Sequence, residues 1–229
     1  TERQNVTYTI TILDHPMVNA FALPGGYLYV TRGLMAAAND EAELAAVIAH
    51  EIGHVTARHA ASRVSKGAVT GIGAAILANV LNVPGAGQAL GLGGEIYLSS
   101  YSREQEHEAD MLGVRYTKRA GYDPMAMGRF LRALEVNGEL EKAKAAGEGR
   151  QLGGFSLFST HPVTAERVQK SAALAGGATG ERNRTEYLRR LRGLIYGDSP
   201  DDGYVFEGEF VHPVLGFAFD VPRDVNVNN

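Results

Sequence analysis

Residues 50–54 read His50-Glu51-Ile52-Gly53-His54, and this run constrains the chain more than any other feature. Leu44, Val47, Ile48, Ile52 and Val55 recur around it at helical spacing, and Asp40 with Glu43 forms a capping box ahead of it, so a helix is predicted through the motif. Side chains four apart on a helix lie one above the other on the same face, so the two imidazoles reach a single metal ion. Glu51 stands beside that point, where it can take a proton from the water that attacks a substrate. The pattern points to a zinc-dependent hydrolase.

The rest of the composition narrows the class. The chain has 229 residues, enough for one good core or for one domain with an appendage. A formal net charge of −4 supplies no basic stripe, so nucleic acid is not an expected partner. Cysteine is absent, which excludes a disulfide scaffold, a thiolate zinc site and a cysteine nucleophile. The first residue is Thr1, with neither an initiator Met nor an apolar leader after it, and we read the chain as a piece whose targeting signal is out of view. Between Lys66 and Glu95 no residue is charged. Pro84 and many glycines interrupt that stretch, leaving a helical part from about Ala68 to Asn82, too short to cross a hydrocarbon core. It reads as a buried helix with a Gly-rich loop, the alternative being a membrane-surface contact through 67–94.

Strands are expected at Tyr8–Ile12, which alternates as a half-buried strand does, at Ala20–Leu23 and at Tyr27–Thr31, with Pro24-Gly25-Gly26 turning between the last two. Ser102 with Gln105 caps a helix running to Ala120, and Asp123-Pro124 opens another to about Glu135. Residues 137–154 read as a mobile surface segment. Helices follow from Thr160-His161-Pro162 to about Leu174 and over Thr185–Tyr196, and the tail Tyr204–Val221 alternates like a hairpin. The fold class is α+β, mainly helical, with a small sheet flanking the motif helix. We divide it into a domain over 1–197 and a hairpin tail over 198–229 that reads as the start of a further module.

A catalytic zinc takes three protein ligands and keeps one position open. An extended motif with Gly three and His six residues after the second histidine would supply the third ligand, but those positions hold Ala57 and Ala60. His59 lies about 140° around a continuous helix from His54 and is expected to face away. The acidic run 103–110 is the better source. Glu104 and Glu108 share one helical face, whereas Glu106 and Asp110 share a nearly opposite one, so one face can be wet while the other turns inward. His107 is the rival ligand there, about 100° from Glu106.

The HExxH run followed by Ser102-Arg103-x-x-Glu106-x-x-Ala109-Asp110 resembles the zinc endopeptidase family of the CAAX prenyl protease, HtpX and the envelope protease BepA. Asn19-Ala20-Phe21-Ala22-Leu23-Pro24-Gly25-Gly26 and His161-Pro162 with Arg167 extend the resemblance, in the same order, over roughly residues 15–170. It implies a gluzincin site: one Zn2+ held by His50, His54 and Glu106, with Glu51 as general base. It also implies Asp110 beside a ligand imidazole and His161 and Arg167 near the reacting groups. Arg167 would hold Asp110 or a substrate carbonyl; His161 would stabilise an oxyanion or fill the fourth zinc position in a latent state. The strand through Ala20, Phe21 and Ala22 (Ala20–Leu23), or else that at Tyr27–Val30, would pair with an extended substrate backbone, which selects unfolded or flexible protein and peptide segments. The implied role is envelope protein quality control, at a periplasmic or cell-envelope location. The alternative is a zinc-containing binding module that holds unfolded proteins with latent or little proteolysis. The sequence specifies no oligomeric state.

Overall fold

The computed structural model describes residues 1–63, 100–147 and 157–221. The reading of 67–94 as a buried helix or membrane-surface contact lies outside the described residues. Among these, no helix is long and apolar enough to cross a membrane.

The chain opens with three short strands, β1 (Thr9–Leu13), β2 (Ala20–Leu23) and β3 (Tyr27–Thr31). β3 lies in the middle, parallel to β1 (Thr9 opposite Tyr27) and antiparallel to β2 (Ala20 opposite Val30). The β2–β3 turn uses Gly25 and Gly26 at φ +96° and +94°, a region open to glycine at no steric cost. β1 forms where the alternation predicted it, but it is not half-buried: Ile10 and Ile12 are 50% and 61% exposed. The reason is its place at the outer edge, because the motif helix covers β2 and β3.

Thr31 ends β3 and caps α1 (Arg32–Ala37), its side chain accepting from the Leu34 amide, an element the sequence reading did not assign. α2 (Glu41–Thr56) carries the motif and starts at Asp40, whose carboxylate accepts from the Glu43 amide. α3 (Arg103–Arg119) begins with a complete Ser102/Gln105 capping box. α4 (Ala126–Gly147) continues well past the expected end. Residues 137–147 are therefore helix rather than a mobile segment, since the Glu, Lys, Leu and Ala that fill them are strong helix formers and outweigh Gly138. A single turn, α5 (Leu157–Thr160), precedes α6 (Ala165–Ala175). His161-Pro162-Val163 thus forms a loop instead of opening the helix, and Thr164 is the true N-cap, accepting from the Arg167 amide. α7 is Arg184–Arg190, shorter than the periodicity predicted because the chain turns at Gly193, φ +83°. The tail forms one strand more than a hairpin: β4 (Tyr204–Phe206), β5 (Glu209–His212) and β6 (Phe217–Asp220) make an antiparallel meander.

The core lies where α2 meets the sheet on one side and α4 on the other. Ala20, Val30, Leu34, Val47, Phe130, Leu134 and Leu157 share one buried cluster, and Ala42, Ala46, Val114, Met127 and Leu131 a second. Among the described helices, α2 and α3 share the most extensive contact. A Cβ added at Gly113 would stand 3.2 Å from both Cα and N of His50, and one at Gly53 would stand 3.0 Å from the Ala109 carbonyl oxygen. These two glycines let the backbones approach until Glu106 and the histidines share one site.

That contact gives a direct prediction. Gly113→Val must push α3 off the His50 backbone, and the overpacking should cost about 1–3 kcal/mol. Chemical denaturation measures it; an unchanged midpoint would mean the helices have slack at this crossing.

Candidate metal centre

Each site residue owes its place to a local stop or start signal. The Asp40 cap sets the phase of α2, so His50 and His54 face α3 while Glu51 faces β2. The Ser102 cap starts α3 so that Glu106 falls in its first turn and Asp110 one turn later, both 2% exposed. The opposite face is wet, with Glu108 half-exposed. Arg167 sits in the first turn of α6, and His161 lies on the loop just before it.

His50 Nε2 and His54 Nε2 are 3.0 Å apart. His161 Nδ1 lies 3.3 Å from His50 Nε2 and 2.9 Å from Glu106 Oε1. Glu106 is 3.5 Å from each motif imidazole. The potential ligand atoms of His50, His54, Glu106 and His161 all lie within 4.8 Å of one another, and all four residues are buried. Behind them, Asp110 Oδ1 lies 2.9 Å from His50 Nδ1. Arg167 donates to both Asp110 oxygens at 2.8 Å, contacts Glu106 Oε2 at 2.7 Å and donates to the Pro162 carbonyl.

The electrostatics follow from burial against pairing. For Asp110, burial works against ionisation, but Arg167 and His50 outweigh it and hold the carboxyl below its usual range. Glu106 behaves alike, with three histidines overcoming its burial. Burial would lower His50, yet Asp110 and Glu106 raise it to about 10. His54, with no carboxylate behind it of comparable weight, is driven by burial well below the ordinary histidine value. Glu51 moves in the opposite direction to the other carboxyls. Burial pushes it up, and the Ala22 amide and two nearby histidines offset this only in part. A raised carboxyl is what a general base working near neutral pH requires.

This donor set fits zinc. Three imidazole nitrogens and one carboxylate converge, which is the ligand chemistry Zn2+ prefers. Asp110 Oδ1 lies 2.9 Å from His50 Nδ1, so a proton held on that nitrogen leaves the Nε2 lone pair for the common centre. The carboxylates that favour a proton on His50 favour a cation there too, since the two compete for that lone pair.

Other expectations meet the geometry in different ways. His107 faces Lys170 and Glu166 at 3.3 and 3.5 Å, outside the cluster. His59 does not face away. The helix is interrupted at Ala57–Arg58, Arg58 taking φ +58°, and His59 turns back to place its Nδ1 2.8 Å from His54 Nδ1. The expected direction assumed a continuous helix. Tyr101, absent from the sequence reading, stacks on the His54 ring at a 3.8 Å centroid distance. An aromatic between an uncharged stretch and a helix cap carries no motif that would have exposed it. Of the strand residues, Ala20 is fully buried in the core and Phe21 stacks on Tyr29. Ala22 meets the site through its backbone, the amide donating to Glu51. A cleft of about 360 Å³ opens there, walled by Ala22, Leu23, His54, Val55, Arg58 and Tyr101.

Arg167→Ala leaves two buried carboxylates without their counter-charge. Loss of one partner from a buried ionic network costs about 3–5 kcal/mol, so we expect a loss of that order in the metal-free chain. A measured loss below about 1 kcal/mol would mean that water already screens the pair.

A model of peptidase family M48 matches residues 1–175. The chain is 32% identical over 192 residues to the beta-barrel assembly-enhancing protease of Escherichia coli, covering 79% of this chain and 35% of that protein. It is 32% identical over 165 residues to the mitochondrial metalloendopeptidase OMA1 of Arabidopsis thaliana, 72% of this chain and 31% of the relative. Metalloprotease LoiP of Escherichia coli is 33% identical over 159 residues, 66% of this chain and 56% of the relative. The chain thus spans less than two thirds of each relative's own length. With the family match running through every residue of the buried cluster, the chain belongs to peptidase family M48, a family of zinc-dependent metalloproteases.

Proposed function

We propose that the chain is the catalytic part of a zinc endopeptidase that cuts unfolded or flexible proteins in the cell envelope. The observation that carries this reading is the convergence of His50, His54 and Glu106 with Glu51 buried alongside them. In it His50, His54 and Glu106 hold the zinc, Asp110 orients His50, and Arg167 holds Asp110 and Glu106 in place. When bound, zinc supplies a Lewis acid that polarises the scissile carbonyl and makes water more acidic. Glu51 takes the proton from the attacking water and passes it to the leaving amine. Glu51 Oε1 is buried and makes no hydrogen bond among the described residues, with His161 Nε2 3.4 Å away. The β2 edge and the cleft beside it accept an extended segment, which pairs with the outward main chain of β2.

Similarity to beta-barrel assembly-enhancing proteases supports the envelope assignment. OMA1 is named as mitochondrial, so the family spans more than one compartment. The holding-module alternative is not favoured, because a pure scaffold has no chemical use for a buried carboxylate at Glu51.

His161 shares the cluster closely enough to fill the fourth ligand position, and we assign it the latent role. It must then withdraw before substrate and water can enter, since a fourth protein ligand removes the open site.

Casein hydrolysis by the zinc-loaded chain beside Glu51→Gln tests the enzyme reading. Activity should fall by at least about 100-fold at unchanged zinc content; equal activity would remove Glu51 from the mechanism. His161→Ala should raise hydrolysis several-fold while zinc stays bound. A fall would instead assign His161 to the transition state, and no change would discard both roles.

A further inference from the structure

The two motif histidines are supported unequally. His50 has a buried carboxylate directly on its Nδ1, at 2.9 Å from Asp110. Among the described residues no carboxylate stands in that relation to His54. Its Nδ1 instead meets His59 Nδ1 at 2.8 Å, and the far nitrogen of His59, Nε2, lies 3.1 Å from Glu108 Oε2. His59 is 3% exposed, whereas the Glu108 side chain is 54% exposed, so the line runs from the buried centre to the wet face of α3.

Proton counting gives the line a direction. A neutral imidazole has one N–H and one lone pair. If the His54 Nε2 lone pair faces the cluster, its proton is on Nδ1 and must be accepted by His59 Nδ1. The His59 proton then sits on Nε2 and is donated to Glu108. With a cation at the cluster, every nitrogen in the line is satisfied in this arrangement and in no other with both rings neutral. We propose that His59 is a positioning residue of the metal centre, an imidazole bridge that fixes the tautomer and ring orientation of His54 and connects it to Glu108. The break in α2 is what makes this possible. Ala57 and Arg58 close the helix on the Gly53 and Val55 carbonyls, and a new helical turn starts from His59, with Ser62 bonding back to Arg58. The inference rests on His54 being a ligand, and it adds a partner that a continuous motif helix would have pointed elsewhere.

The test compares His59→Leu with His59→Asn, two side chains of nearly one shape that differ in whether an acceptor stands where Nδ1 was. Zinc affinity is read by competition with a chromogenic chelator, and the cobalt-substituted chains are read by visible absorption. Losing such a partner typically costs about 10–100-fold in metal affinity. We expect that loss for Leu, with shifted cobalt bands, and recovery of most of it with Asn. Equal affinities for Leu and Asn overturn the proposal, even if both variants are less stable than wild type, because the ring's bulk is absent from both. A chain that binds one zinc yet leaves casein intact both as wild type and as His161→Ala would defeat the peptidase reading while this comparison still stands.

Discussion

Arg167 is the counter-charge that allows the centre to exist. Glu106 and Asp110 lie one turn apart on α3 with both side chains excluded from water. Two buried carboxylates cost several kcal/mol each without a partner. The guanidinium meets this with a planar fork, two bonds to Asp110 and one contact to Glu106, a geometry that a lysine ammonium cannot reproduce. It also reaches the Pro162 carbonyl, so the same residue fixes the loop bearing His161. One side chain thus ties the carboxylates, the start of α6 and the loop bearing His161 together.

A second constraint is distance. Metal ligands from two helices converge only if the backbones approach more closely than ordinary side chains allow. Gly53 on α2 and Gly113 on α3 provide that approach, each facing the other helix at a point where a methyl would already crowd it. Glycine lowers the intrinsic stability of both helices by roughly 0.5–1 kcal/mol each. Zincin chemistry here thus draws on stability contributed by the apolar clusters behind α2, chiefly Phe130, Leu34 and Leu134.

The centre is also asymmetric in its water access. Asp110 and Arg167 lie behind His50 in a dry wall, while His54 looks toward Tyr101, His59 and the cleft beside β2. Glu51 stands on the same side, next to the strand whose edge lines the cleft, and the proposed function brings substrate in from there.

Much of this was legible in the chain itself. The HExxH spacing is a local property of one helix, so His50, Glu51 and His54 could be oriented before any tertiary contact was known. The period of the acidic run told that Glu106 and Asp110 share a face, and caps at Asp40 and Ser102 fixed where both helices begin. Strand positions and the β2–β3 turn were equally local. What the chain could not announce was anything that depends on a break or on exposure. The strand at 9–13 alternates as if half-buried, yet among the described elements none covers its outer position. Composition made 137–147 look irregular although its residues favour helix. His59 was judged on an unbroken helix, and the single left-handed residue at Arg58 reversed its direction. The sequence by itself determined which side chains have the chemistry of a metal centre, because periodicity is set by neighbours along the backbone. Only the tertiary structure decided which of them meet, that His161 joins the cluster and that Arg167 neutralises it, because those contacts join residues more than fifty positions apart and depend on how the helices pack.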